Sequence, residues 1–215
     1  MPKAPISTGL FCPTIFAAVF GYAAGAQAGG VCPPGLPPGV GCGGPDMADI
    51  TAGTYNLDPG HAAVIARVPH IGYSKSVFRF DKVSGTLAWD PLDLKKSKLT
   101  VTVEPGSVAT NVAGFAADIA GTYLKAKTFP VASFVSTAFR RTDPTHGKVD
   151  GQLTLMGVTK PQTFDVALVG AGKGFGHPRL GVSVTGDLKP ADFGLAPTFG
   201  QAIDLVIDVE FEKAP

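Results

Sequence analysis

From Lys98 to Glu104 apolar and polar residues alternate one by one, so Leu99, Val101 and Val103 share a face. The same period of two returns along the chain. Val149, Gly151, Leu153 and Leu155 alternate with Asp150, Gln152 and Thr154. Phe164, Val166 and Leu168 follow, then Leu180, Val182 and Val184. The last run sets Ile203, Leu205, Ile207, Val209 and Phe211 against Asp204, Asp208 and Glu210, with Val206 blurring the polar face. Successive side chains of a strand point to opposite faces, so these runs predict strands with one buried and one wet face. Gly157–Pro161 reads as a turn, and Gly170–Gly176 as a hairpin loop. Repeated this often, the pattern predicts an antiparallel sheet. A sandwich and a closed barrel both satisfy it; closure would remove the exposed edges.

Two segments depart from the alternation. Asn111–Ala120 places Val112, Phe115 and Ile119 at helical spacing behind a capping residue, Asn111. One or two short helices are expected between Asn111 and Thr128, and a further helical turn near Pro190–Phe193.

The stretch His61–His70, HAAVIARVPH, raises a chemical question because histidine readily ligates metals or moves protons. Nine residues of strand at about 3.3 Å each hold the two rings too far apart to share an ion. An odd separation also turns them to opposite faces unless a bulge intervenes. Val64, Ala66, Val68 and His70 share one face, and Ile65, Arg67 and Pro69 the other. Burying Arg67 unpaired would be costly, so the Val64 face is expected inside. His70 then falls on the apolar face near a strand end. It reads either as a core histidine bonded to a carbonyl or as a polar contact at the mouth of an apolar cavity.

Composition narrows the functional classes. The chain has 215 residues, 45% hydrophobic and 16% charged, with a net charge of +1. No basic or acidic field points to nucleic acid or an anionic membrane surface. The count of 28 glycines and 19 prolines suits turns and short strands rather than long helices. Lys3, the apolar run Leu10–Ala24 and Ala26-Gln27-Ala28 describe a secretory signal peptide over residues 1–28, with an uncleaved anchor as the alternative. Residues 29–52 read as a Gly/Pro-rich linker and 53–215 as one domain. Cys12 would leave with the signal. Cys32 and Cys42 then form an even pair in an oxidising compartment, and a local disulfide is expected.

Catalytic signatures are missing from the sequence. There is no Gly-x-Ser-x-Gly elbow. Gly170–Gly176, GAGKGFG, lacks the Gly-Lys-Ser/Thr ending of a phosphate loop and is followed by Pro178 and a strand. His146 and His177 fall in expected turns, and Asp90, Asp93 and Asp143 are explained by turn chemistry. No metal site and no catalytic residue is assigned.

Several short motifs, taken in order, resemble the YceI-like family. They are Tyr55-Asn-Leu-Asp58-Pro-Gly-His61, then Val64, Val68, His70 and Gly72, and Phe80-x-x-Val83-Ser-Gly85-Thr-Leu. Tyr123-Leu-Lys-Ala-Lys-Thr-Phe129-Pro130 follows, with Ser133-Phe134-x-Ser136-Thr137. The most specific stretch is Val149-x-Gly151-x-Leu153-Thr-Leu-Met-Gly157-Val-Thr-Lys-Pro161, and Asp192-Phe193-Gly194-Leu195 closes the set. The resemblance implies an all-β, antiparallel, lipocalin-like barrel of about eight strands with one or two short helices. It further implies export to the periplasm or beyond, and binding of a long isoprenoid or similar amphiphilic lipid inside the barrel without catalysis. A bound polyisoprenoid or quinone-like lipid would be the sole cofactor-like group, and the membrane would matter only as its source. A homodimer is left open.

The expected ligand-binding residues are Val64, Ala66, Val68, Phe134, Leu153, Leu155, Phe164, Val166, Val182 and Val184, with His70 for the head group. Ala66 stands where the family often has phenylalanine, which implies extra volume there. Two other readings stay open: a quinone- or stress-related enzyme using His70, and a structural module with a filled barrel.

Overall fold

The computed structural model describes residues 32–215. The expected signal peptide, residues 1–28, lies outside them. Ten strands run in order: β1 (Gly53–His70), β2 (Ser74–Phe80), β3 (Val83–Trp89), β4 (Lys98–Val103), β5 (Val108–Ala109), β6 (Ala132–Arg141), β7 (His146–Leu155), β8 (Val158–Gly174), β9 (His177–Leu188) and β10 (Ile203–Lys213). Every pairing is antiparallel. β1 pairs with β10 as well as with β3, so eight strands close into a ring: β1, β3, β4, β6, β7, β8, β9 and β10. This contact decides between barrel and sandwich. β2 and β5 stand outside the ring, β2 against the far half of β1 and β5 against β2.

Turn chemistry sets the hairpins. Met156 and Gly157 both have positive φ, 49° and 76°, between the paired residues Leu155 and Val158. This is the two-residue turn whose twist matches its strands. The expected turn over Gly157–Pro161 is therefore shorter, and Pro161 already sits in β8 opposite Gln152. Likewise β8 runs on to Gly174, and the reversal is made by Phe175 and Gly176 alone, at φ 52° and 84°.

One end of the ring is covered. There α1 (Phe115–Asp118) continues as a π-helical turn, Ile119–Tyr123. Its N-cap is Gly114 rather than Asn111; Gly114 at φ 79° makes the entry turn, so the helix is shorter than the spacing suggested. A 3-10 turn at Pro190–Phe193 lies where one was expected. Ile119, Leu124, Phe193 and Leu195 pack there with Val68, Phe78, Val108, Leu188 and Ile203. We call this the capped end.

At the opposite end the segment before β1 is fastened to the barrel. Gly44 and Ala171 form a two-way backbone bridge at 2.9 and 2.8 Å. Ile50 is only 2% exposed, against Tyr55 and Ala171 in the core. Upstream, Cys32 and Cys42 are joined, with Cα atoms 5.4 Å apart. The Gly/Pro-rich stretch thus docks on β8 over its last residues.

Candidate functional site

The inward side chains of the ring leave a cavity of about 320 Å³. That is within the ~300–1,000 Å³ typical of ligand sites. Val64 and Ala66 of β1 line it, as do Phe134 of β6, Leu153 and Leu155 of β7, Phe164 and Val166 of β8, and Val182 and Val184 of β9. Leu99, Val101 and Val103 of β4, and Leu205, Ile207 and Val209 of β10, complete the wall. The alternation of each strand explains this directly, since every second residue turns inward.

Two expected residues do not reach the cavity. Val68 is buried, but in the apolar cluster of the capped end. His70 is exposed at the tip of β1, where its carbonyl accepts the Tyr73 N–H at 3.0 Å. The inward parity from Val64 onward is right, but the ring does not extend that far. The pairing of β1 with β10 stops at Arg67, opposite Asp204, and beyond it β1 continues with β2 alone. His70 therefore has solvent around it in place of a cavity mouth.

Other lining residues come from irregular segments. Met47 precedes β1, Leu94 lies in a 3-10 turn (Leu94–Lys96), and Leu124 lies in the cap. Trp89 ends β3 and meets Phe139 of β6 edge-on at 6.1 Å. A register shift between Ser136 and Ala138 turns Phe139 inward although it is an odd number of residues from Phe134. Arg141, two residues on, shares that inward parity and lies at the rim.

Polar side chains gather at this open end. Arg140 is held by Asp150 at 2.6 and 2.8 Å. His146 is held by Asp143 at 3.0 Å, and Lys148 is paired with Asp165. The Asp143 carboxyl lies well below the ordinary carboxylate range, at about 2, because it accepts the Thr145 N–H and the His146 ring. Arg141 has no carboxylate within ion-pairing distance among the described residues. The Trp89 indole Nε1–H is buried and has no acceptor there.

A second polar group lies on the outer wall. β1 shifts register between Leu57 and Ala62, so Asp58–His61 forms a bulge. This reverses the parity between Leu57 and Val64, both of which are buried. Asp58, His61 and Glu210 bring their ligand atoms within 4.8 Å of one another. Arg179, 15% exposed, already occupies the centre, bonding Asp58 at 2.7 Å, Glu210 at 2.6 Å and Glu212 at 2.9 Å. The His61 hydrogen bond and then the Arg179 one hold the Asp58 carboxyl down at about 2. Asp58 in turn raises the His61 ring above its ordinary value. The arrangement ties β1, β9 and β10 together, and it faces away from the cavity.

The model of the YceI-like domain matches residues 55–211. A UPF0312 protein of Pseudomonas putida strain W619 is 37% identical over 168 residues, covering 75% of this chain and 88% of the relative. The crystal structure of a Campylobacter jejuni YCEI protein superposes with a TM-score of 0.62 at 28% identity, covering 69% of this chain and 91% of that one. A polyisoprenoid binding domain from Saccharophagus degradans, implicated in plant cell wall breakdown, shares the fold at a TM-score of 0.56 and 16% identity, covering 74% and 98% of the two chains. By its motifs in order, its closed ring and these likenesses, the chain belongs to the YceI-like family.

Proposed function

We propose that this protein is an exported, non-enzymatic carrier that holds one long-chain amphiphilic lipid, of the isoprenoid or quinone type, inside the barrel. The supporting observation is the cavity itself. Its walls are aliphatic and aromatic from the capped end to the rim, and its charged groups are confined to the rim. Each buried methylene contributes about 0.8 kcal/mol, so a chain binds such a tunnel through shape and desolvation alone. The polyisoprenoid-binding neighbour of the same fold supplies the ligand class to try first. Cys32 and Cys42, bonded to each other, suit the periplasm or the cell exterior.

The two rival readings have less to stand on. A filled structural barrel requires no cavity, and there is one. An enzyme using His70 requires that side chain at the site, and it lies in solvent off the end of the ring.

The test is native purification followed by organic extraction and mass spectrometry. About one lipid per protein is expected, and added polyprenyl or quinone chains should raise the melting temperature by mass action. No extracted lipid, together with no thermal shift from any chain, overturns the carrier reading.

A further inference from the structure

We infer that the ligand carries an anionic, acceptor-rich head group, a phosphate or carboxylate, and that Arg141 and Trp89 read it at the open end while the tail points to the cap. This rests on the carrier reading and specifies its ligand. Three observations converge on it.

The first is charge. Four basic side chains surround the rim, and three already bond a carboxylate: Arg140 on Asp150, His146 on Asp143 and Lys148 on Asp165. Arg141 alone of the four lacks a carboxylate partner among the described residues. A guanidinium offers five donors in a planar fork that matches a carboxylate or phosphate. Asp46 and Asp143 line the adjoining groove beside Arg141, and neither comes within ion-pairing distance of it.

The second is the orphan donor. A buried N–H without an acceptor costs roughly 1–3 kcal/mol, so its presence asks for a partner. Trp89 Nε1–H is such a donor, on a ring that lines the cavity and packs on Phe139, two residues before Arg141. On this reading a small rotation of the ring brings the N–H, sealed from the cavity here, to the anionic oxygen that Arg141 binds.

The third is direction. At the capped end the lining is Leu124, Leu155, Leu188, Leu195 and Ile203, with no charged side chain among the lining residues contributed by the cap. A charged head buried there would lack any compensating partner. The amphiphile therefore enters tail first.

The experiment compares dodecyl phosphate, 1-dodecanol and inorganic phosphate on the intact protein, freed of co-purified lipid, by calorimetric titration below micellar concentration. Dodecyl phosphate should bind roughly tenfold or more tightly than dodecanol, as a charge-assisted hydrogen bond implies. Arg141→Gln should bring the two to within about twofold of each other. Arg141→Lys should keep part of the preference, and Trp89→Phe should reduce it. Inorganic phosphate should give no heat. Equal binding of phosphate and alcohol by the unaltered protein overturns the head-group inference and leaves the carrier reading standing. A preference that survives Arg141→Gln overturns the assignment to Arg141. Inorganic phosphate binding as tightly as dodecyl phosphate overturns the inference in favour of a chain-free anion site. Binding of none of the three overturns the head-group inference, and the carrier reading falls with it only where extraction and thermal shift fail too.

Discussion

Phe134 and Phe164 meet edge-on, ring centres 5.1 Å apart, although a whole strand separates them. Phe134 belongs to β6 and Phe164 to β8; β7 lies between and pairs with both. Gly151 of β7 makes the contact feasible. A Cβ built there would fall 2.4 Å from Phe134 Cζ. Gly186 of β9 does the same for the other ring, where a Cβ would lie 2.6 Å from Phe164 Cδ1. The two aromatic rings thus form a shelf across the cavity wall, set over two glycines.

Replacing Gly151 by valine should therefore be costly. Overpacking a core typically costs about 1–3 kcal/mol. Phe134 must also swing away from the new side chain, into the cavity. Gly151→Val should lower the melting temperature and weaken chain binding together, as read by thermal denaturation with and without ligand. Unchanged binding in a destabilised barrel would mean that the shelf does not bound the ligand.

His70 gives the opposite expectation. The residue is exposed, and its backbone carbonyl closes the turn through Ile71 and Gly72, at φ 42° and 83°. His70→Ala should shift stability by no more than about 0.5 kcal/mol. Lipid affinity should not change. A clear loss of binding in a titration would return His70 to the site.

These two residues show where the sequence speaks and where it is silent. Alternation is a local property, so the inward faces of β4, β7, β9 and β10 can be read from single segments. Gly151 too reads as inward by parity, but its contact with Phe134 belongs to the pairing of two strands. Bulges defeat parity. The register shifts at Leu57/Ala62, Ser136/Ala138 and Leu168/Gly170 each reset which residues point in. That is why Phe139 and Arg141 escape a reading of spacing, and why Asp58 and His61 meet on the outer wall. Strand ends are set by partners. β1 is apolar as far as Val68, but β10 has ended by then, so Val68 packs under the cap and His70 reaches water. The choice between sandwich and barrel turns on β1 meeting β10, from opposite ends of the domain, and no local pattern encodes it.

Asp58 makes stability depend on pH. Its carboxyl is lowered from the ordinary 3.8 to about 2, by His61 first and Arg179 second. A carboxyl lowered by folding stabilises the native state above its unfolded value, and that contribution is lost as pH falls through the folded value. His61 is raised above 6.5 by the same carboxylate, so its share is present below that value and is lost as pH climbs through the raised one. The gap in melting temperature between the unaltered protein and Asp58→Asn should be widest from about pH 4 to 6. It should close towards pH 2 and narrow on the alkaline side of 6.5. Thermal melts of both proteins across this range check it; a gap that stays constant would show that the cluster is uncoupled from folding.

On the carrier reading, Ala66 sets how far a chain can reach. It pairs with Leu205 of β10 and Phe78 of β2, and it packs against the cluster that contains Leu124, Leu188 and Leu195. It therefore lies near the capped end, away from Arg141. Ala66→Phe would fill space there that a short chain held at the rim never enters. If the ring excludes two methylenes of a long chain, the loss is about 1.6 kcal/mol at about 0.8 each, roughly fifteenfold in affinity. Titration with a series of alkyl phosphates of increasing length should show that affinity rises with length in both proteins at first, then stops rising at a shorter chain in Ala66→Phe. The barrel should still fold, since Ala66 lines the cavity. Parallel curves at every length would place the tail elsewhere and reverse the direction assigned to the ligand.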